Sequence, residues 1–479
     1  MLFPTLTFHV FFLAVFAVIW SCRENSALDN EWRKILLLVA SWVFYGAWDW
    51  RFVALLIASG VLNWSVGEMI FRTREQGAGP GASRKARRWL IVGVAVNLTI
   101  LGFFKYYGFF LEQLNAVLHS AGWERDMPIM EVILPVGVSF FTFQGMSYQI
   151  DIYKGDTERA SLLDITLLMS FFPHLVAGPI VRPRHLVPQF QSVPRLTTSM
   201  AASGITLILW GLFKKTVIAS ELATNFVDPA FFDPSAHSSL DLLLGAYGYS
   251  VQIYCDFSAY SDMAIGIAAL LGYRFPWNFN QPYRAHSLQD FWRRWHMSLS
   301  QWLRDYLYIG MGGSRHGKPR MYFALMMTML LGGLWHGASW NFIVWGAIHG
   351  GVLVLERVWR DVRPKGWKPA PQWLAVPVIF HIVTLAWIFF RMPGFGDALA
   401  YIGGILSLRG GPLTATPLMV ALIVLGLSFN AFPRDTIQRF ATMLRRAPAW
   451  RVAVFAVVSL VVLEAMRPDG VAPFIYYRF

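Results

Sequence analysis

The side chain best placed to do chemistry is His336, in the run Gly332-Gly-Leu-Trp-His-Gly-Ala-Ser-Trp-Asn341. This run joins two apolar arms, one rising from Arg320 through Leu331 and one returning to Glu356 and Arg357. Each arm holds about sixteen residues, so at 1.5 Å per residue the tip rises about 24 Å, short of a hydrocarbon core of about 30 Å. The tip is therefore expected within the membrane, where an ionisable side chain is costly unless it has a partner or a task. A neutral imidazole in an apolar pocket suits general-base chemistry on a hydroxyl. The same histidine also fits a packing role, hydrogen-bonded between helices. Gly332, Gly333 and Gly337 would let backbones approach closely or unwind there.

Two further groups of polar residues could support such a site. Tyr254, Ser258 and Asp262 recur every four residues and form one stripe of a helix, with Asp256 on another face. The stripe either lines a passage and braces the histidine or locks helices together by internal hydrogen bonds. In residues 295–309, Trp295, Leu299, Trp302, Leu303 and Tyr306 share one helical face, with Ser298, Gln301, Arg304 and Asp305 opposite. Flanked by Arg293, Arg294, Arg315, Lys318 and Arg320, this segment predicts an interfacial helix on the cytoplasmic side; a simple Trp- and Arg-rich anchor would read the same way.

The elements that position these groups must be membrane helices. The chain has 479 residues, 56% of them hydrophobic and only 14% charged, with a mean hydropathy of +0.45. These values exclude a water-soluble enzyme, a disordered chain and a disulfide scaffold. Apolar stretches of spanning or near-spanning length recur along the whole chain, enough for about eleven transmembrane helices. Segments 132–150 and 161–180 carry Pro135, Gly137, Gly145, Pro173, His174 and Pro179, and are re-entrant candidates, since such breaks are tolerated only inside protein or beside a water-filled cavity.

The net charge of +13 concentrates between apolar segments, in 72–88, 357–368 and 434–451, which is the positive-inside pattern and not a nucleic-acid footprint. Residues 72–88 read as a basic cytoplasmic loop, with 76–83 a flexible connection. Asp49 then falls at an outer turn and the N-terminus outside. Between Lys215 and Arg274 there is no Lys or Arg, so part of that stretch should face outward. Met1-Leu-Phe-Pro-Thr lacks a basic n-region, so the first apolar run reads as a retained span. Cys22 and Cys255 show no paired spacing and are read as inert, and the histidines form no ligand cluster, so no metal is expected.

Trp335-His-Gly-Ala-Ser-Trp-Asn341, preceded by Phe291-Trp-Arg-Arg-Trp-His-Met-Ser-Leu-Ser-Gln-Trp-Leu-Arg-Asp-Tyr306 and by Tyr254-Cys-Asp-Phe-Ser-Ala-Tyr-Ser-Asp262, resembles the membrane-bound O-acyltransferase (MBOAT) family. Within it the likeness is to the bacterial branch that O-acetylates exopolysaccharide such as alginate. It extends over nearly the whole chain, through Phe44-Tyr-Gly-Ala-Trp48, Pro135-Val-Gly-Val-Ser-Phe-Phe-Thr-Phe-Gln144, Phe172-Pro-His-Leu-Val-Ala-Gly-Pro-Ile180 and Trp387-Ile-Phe-Phe-Arg391 to Pro473-Phe-Ile-Tyr-Tyr477. One departure is Ile309-Gly-Met-Gly-Gly313, where many relatives carry a proline-leucine-glycine-glycine turn.

The resemblance implies an all-α polytopic membrane protein of one domain, 1–479, with about eleven transmembrane helices plus re-entrant and interfacial helices around a central tunnel, and a catalytic core in 284–350. It implies acetyl transfer from cytosolic acetyl-CoA toward a periplasmic acceptor at the bacterial inner membrane, with no metal or bound cofactor. His336 matches the family's invariant histidine, and His296 its second, more variable polar position. Trp335, Asn341, Tyr254, Asp256, Ser258, Asp262 and Asp305 are tunnel or supporting candidates. Arg293, Arg294, Arg304 and Lys318 are candidates for the phosphates of the donor, or equally for lipid headgroups. The implied partners are membrane lipid, a polysaccharide acceptor and a periplasmic SGNH-hydrolase-like protein. The alternatives are a peptidoglycan O-acetyltransferase of the same family and, more distantly, a transporter or channel.

Overall fold

The structure is a computed structural model, described for residues 1, 3–21, 27–75, 77, 80–123, 127, 130–433, 435–466 and 474–475. Cys22 lies outside the described residues, as do Pro473, Tyr476 and Tyr477 of the last motif. Among the described residues every regular element is helical. Five helical stretches are long and apolar enough to cross a membrane: Arg51–Glu75, Ser83–Ser120, Thr198–Phe232, Trp340–Val362 and Gln372–Arg391. Leu6–Ser21, Phe395–Leu406 and Pro417–Ser428 are shorter apolar helices. The chain divides into two compact units.

The first unit comprises Met1–Ala201 and Ile267–Pro276. In its broken segments the helix breakers Pro135, Gly145, Pro173 and Pro179 are buried and Gly137 is half-buried. Helix Val138–Lys154 starts after Gly137, whose φ of +78° makes the left-handed entry turn, and nearly all of its residues are buried. Helix Leu162–Ser170 carries a capping box of Ser161 and Asp164, and the chain turns at Phe171 before the short helix Phe172–Leu175. Buried amides are paired across helices: Asn63 Oδ1 accepts from Asn97 Nδ2 at 2.9 Å and from Gln149 Nε2 at 2.8 Å. Lys34 meets Asp164 at 2.8 Å.

The basic segment 72–88 is not a loop throughout. One helix runs to Glu75 and the next begins at Pro80, so Arg72 and Arg74 close one helix, and Arg84, Lys85, Arg87 and Arg88 lie in another. Proline at a first helical position needs no N–H partner, and Lys and Arg are good helix formers, so helix resumes at Pro80, inside the expected connection 76–83.

The second unit comprises Ala202–Gly266 and Trp277–Phe479. Its centre is a helical hairpin, Gly317–His336 and Trp340–Val362. Both arms exceed the expected sixteen residues: the first has 20 and the second 23. The apolar portions have the expected length, but the helices continue through the flanking cations and acids, which are compatible with helix outside the core. Glycine sets the packing. A Cβ on Gly333 would collide with the carbonyl oxygen of Phe342, and one on Gly346 would lie 2.5 Å from that of Met329. A Cβ on Gly350, four residues on from Gly346, would lie 2.8 Å from the sulfur of Met326, so glycines at fourfold spacing keep the second arm close to the first.

Candidate active site

The site is built at the end of this hairpin and in the segment 277–308. His336 is the last residue of the first arm, and the chain leaves the helix at extended Gly337 and re-enters after Ser339, which caps the second arm by accepting from Asn341 N at 3.1 Å. Asn341 Nδ2 donates to the carbonyl of Met392 at 2.7 Å, tying the hairpin tip to the end of helix Gln372–Arg391. The His336 ring is enclosed by indoles and a phenyl ring, with centroids at 4.9 Å to Trp335, 5.0 Å to Trp345 and 5.1 Å to Phe390. Only 3% of its surface is exposed.

His296 also neighbours Trp335, their ring centroids 6.2 Å apart, so the two candidate histidines share one indole as a neighbour. The expected helix from Trp295 does not begin there. It starts at Met297, and His296 itself has φ of +40°, a left-handed conformation that is unusual for a residue with a Cβ. Regular helix ends at Trp302 and a wider π-helical turn continues to Tyr308, which breaks the periodicity and leaves Tyr306 half-buried. Ser298, expected on the polar outer face, is buried because it belongs to a hydrogen-bond network around Asn278. Asn278 Oδ1 accepts from Ser298 N at 3.2 Å and from Ser298 Oγ at 2.9 Å, and lies 3.1 Å from His296 Nδ1. Burial among Phe257, Phe279 and Trp335 pushes the His296 pKa down to about 3, so the ring is neutral at physiological pH.

On the long helix Ser239–Leu270, two residues of the stripe are hydrogen-bonded to a lysine of another helix. Lys214 donates to Ser258 Oγ and Asp262 Oδ2, each at 2.7 Å, and Lys215 meets Asp256 at 2.9 Å. The two neighbouring lysines thus satisfy two acids on different faces of one helix. Tyr254 packs among Phe279, Tyr283 and Trp295. Asp305 pairs with Arg304 at 2.6 Å.

A groove of about 410 Å³ opens beside Met297, lined by Arg293, Arg304, Arg357 and Arg360 together with Glu356 and Gln301. Of the four expected cations it takes Arg293 and Arg304. Arg294 is turned instead to Asp290 at 2.9 Å, and Lys318 pairs with Asp361 at 3.4 Å. Arg357 and Arg360, read only as part of a basic loop, take the remaining places. Glu356 accepts from the backbone N–H groups of Leu288 and Gln289, fixing one wall. Neither His296 nor His336 lines this groove.

Sequence reasoning also passed over His349, fully buried on the second arm, which receives Trp292 Nε1–H at its Nδ1 at 3.3 Å. The signal was present, since an ionisable residue inside an apolar run deserves the question asked of His336. Asn278 gave no such signal.

Residues 30–393 match the model of the membrane-bound O-acyltransferase family. The chain belongs to this family. It is a multi-pass membrane acyltransferase, and family membership sets aside the transporter reading. Among its relatives, a probable alginate O-acetylase, AlgI, of Azotobacter vinelandii is 45% identical over 363 residues, covering 75% of this chain and 70% of that protein. A probable alginate O-acetylase of Pseudomonas putida is 37% identical over the full length of both chains. The peptidoglycan O-acetyltransferase of Helicobacter pylori is 37% identical over 86% of this MBOAT chain and 80% of its own.

Proposed function

We propose that this protein is an O-acetyltransferase that takes acetyl from cytosolic acetyl-CoA and delivers it toward a periplasmic polysaccharide, with His336 as general base and His296 as the second polar group. The observation that carries this reading is the arrangement of His336, Trp335 and His296 in one water-poor aromatic enclosure, within the same unit as an arginine-lined groove. Acyl transfer from a thioester needs a hydroxyl deprotonated against the carbonyl carbon. The hydroxyl oxygen attacks that carbon, its proton passes to the base, the C–S bond breaks, and the thiolate leaves to be protonated as the free thiol. A preorganised imidazole with bulk water excluded supplies the conditions for this step. The guanidinium groups of Arg293, Arg304, Arg357 and Arg360 suit the phosphates of coenzyme A.

The name of the Azotobacter relative supports alginate or a similar exopolysaccharide as the final acceptor, and a periplasmic SGNH-hydrolase-like partner fits that reading. Peptidoglycan is the second reading, favoured by the Helicobacter relative. An inner-membrane location with the N-terminus outside completes the proposal. Radiolabelled acetyl-CoA supplied to inside-out and right-side-out vesicles tests it. Label is expected on an acceptor only when the donor meets the cytoplasmic face, and transfer should disappear in His336→Ala. Equal labelling from both faces, or full transfer by the variant, would refute the proposal.

A further inference from the structure

One end of the Asn278 amide is fixed by a group with no choice of role. The backbone N–H of Ser298 can only donate, and it points at one end of the amide at 3.2 Å, so that end is the carbonyl oxygen. The other end, Nδ2, donates to Ser261 Oγ at 3.0 Å. An amide oxygen accepts and cannot donate, so His296 Nδ1, 3.1 Å from it, must carry the ring proton. In a neutral imidazole that leaves Nε2 with a bare lone pair. Nε2 is buried, and no group among the described residues hydrogen-bonds to it. His349 has the opposite form: an indole N–H donates to its Nδ1, which places its proton on Nε2.

We infer that Asn278 is a positioning residue that holds His296 as the Nδ1–H tautomer, so that Nε2 enters acyl transfer only as an acceptor, toward the O–H or S–H of a bound substrate. The inference rests on the proposed acetyl transfer and decides between two chemical roles within it. A histidine with Nε2–H would stabilise the oxyanion that develops on the thioester carbonyl. His296 as held here offers no proton to that oxygen and receives one from, or shares one with, a hydroxyl or thiol. The left-handed backbone at His296 belongs to the same device, since the turn it makes lets both Nδ1 and the following Ser298 N–H reach one amide oxygen.

The test combines a spectroscopic and a kinetic arm. Protein labelled with 15N-histidine, in detergent or lipid, should give a His296 signal of the Nδ1–H tautomer, assigned by its loss in His296→Asn. An Nε2–H signal would overturn the inference whether or not the protein is active and whether or not any variant folds. In acetyl-CoA turnover, Asn278→Ala should lower kcat about tenfold or more, the range seen when a group orienting a histidine is removed, with KM for the donor nearly unchanged. Asn278→Asp keeps the acceptor oxygen and should recover most of the loss. In the His296→Asn background Asn278→Ala should cost almost nothing further. Multiplicative losses in the double variant, or no advantage of Asp over Ala, would overturn it. Should wild-type protein give no acetyl transfer at all, the proposed reaction fails while the tautomer result still stands by itself.

Discussion

Lys214 Nζ lies 2.7 Å from Asp262 Oδ2, with only 3% of the lysine side chain exposed. Removing one charge of such a pair leaves the other buried and uncompensated, at a cost of about 3–5 kcal/mol, whereas replacing both by apolar groups of similar volume is often neutral. Lys214→Met and Asp262→Asn should each lower the thermal midpoint in detergent by many degrees, and Lys214→Met with Asp262→Leu should recover most of that. Folded single variants with unchanged midpoints would show that the pair does not brace the long helix.

How far the sequence carried this site can be judged residue by residue. The hairpin and His336 were legible because glycines and an ionisable group stand out in an apolar run. The stripe of Ser258 and Asp262 announced a lock but not its key, because Lys214 is more than forty residues away. The helix start at Trp295 was misplaced because apolar spacing runs straight through His296, and periodicity carries no record of a left-handed φ. Asn278 was invisible for a related reason: an asparagine beside a proline-rich turn reads as loop chemistry until the fold brings it to a histidine 18 positions on.

The close approach at the hairpin gives a second prediction. Gly333→Ala and Gly346→Ala place a methyl against facing backbone, which cannot give way as a flexible side chain can, and should destabilise the protein by about 1–3 kcal/mol, the range for overpacking. Gly351 is one residue beyond Gly350 in the same helix, and a methyl there would meet nothing within 4 Å, so Gly351→Ala should be neutral or slightly stabilising. Thermal melts of the three variants, run together, compare position with substitution held constant. Equal midpoints for all three would remove the packing argument.

The groove arginines should act on donor affinity. Loss of one charge-assisted phosphate contact is worth about 1.5–3 kcal/mol, so Arg357→Ala or Arg304→Ala should raise KM for acetyl-CoA by about tenfold or more with kcat little changed. Lys318→Ala serves as the control, because Lys318 is a nearby cation that lies outside the groove. Added salt should narrow the difference between wild type and the arginine variants. An unchanged KM in both arginine variants would move the donor site elsewhere.

The depressed pKa of His296 sets a sign for stability against pH. Its folded value of about 3 lies below the about 6.5 of an unfolded histidine, so between those values the unfolded state binds more protons and folding weakens as pH falls. The contribution is complete above about pH 6.5 and is lost progressively toward about pH 3. His296→Asn removes it, and asparagine tolerates the left-handed backbone there. The stability advantage of wild type over the variant, measured by thermal melts at a series of pH values, should therefore shrink as the medium is acidified. An advantage that grows on acidification would mean that the imidazole is protonated in the folded protein.

The last prediction separates His336 from its neighbours. If His336 takes the proton of the attacking hydroxyl, His336→Ala should lower acetyl transfer by about 10²–10⁴-fold, the usual contribution of a positioned base, while leaving the midpoint of unfolding within a few degrees. Trp345→Phe keeps an aromatic wall against the imidazole and should lose far less, since it disturbs the enclosure of the ring and not its lone pair. The ratio of the two effects on kcat is the informative quantity. A packing histidine would show the reverse pattern, with His336→Ala chiefly lowering the melting temperature and transfer per folded molecule preserved.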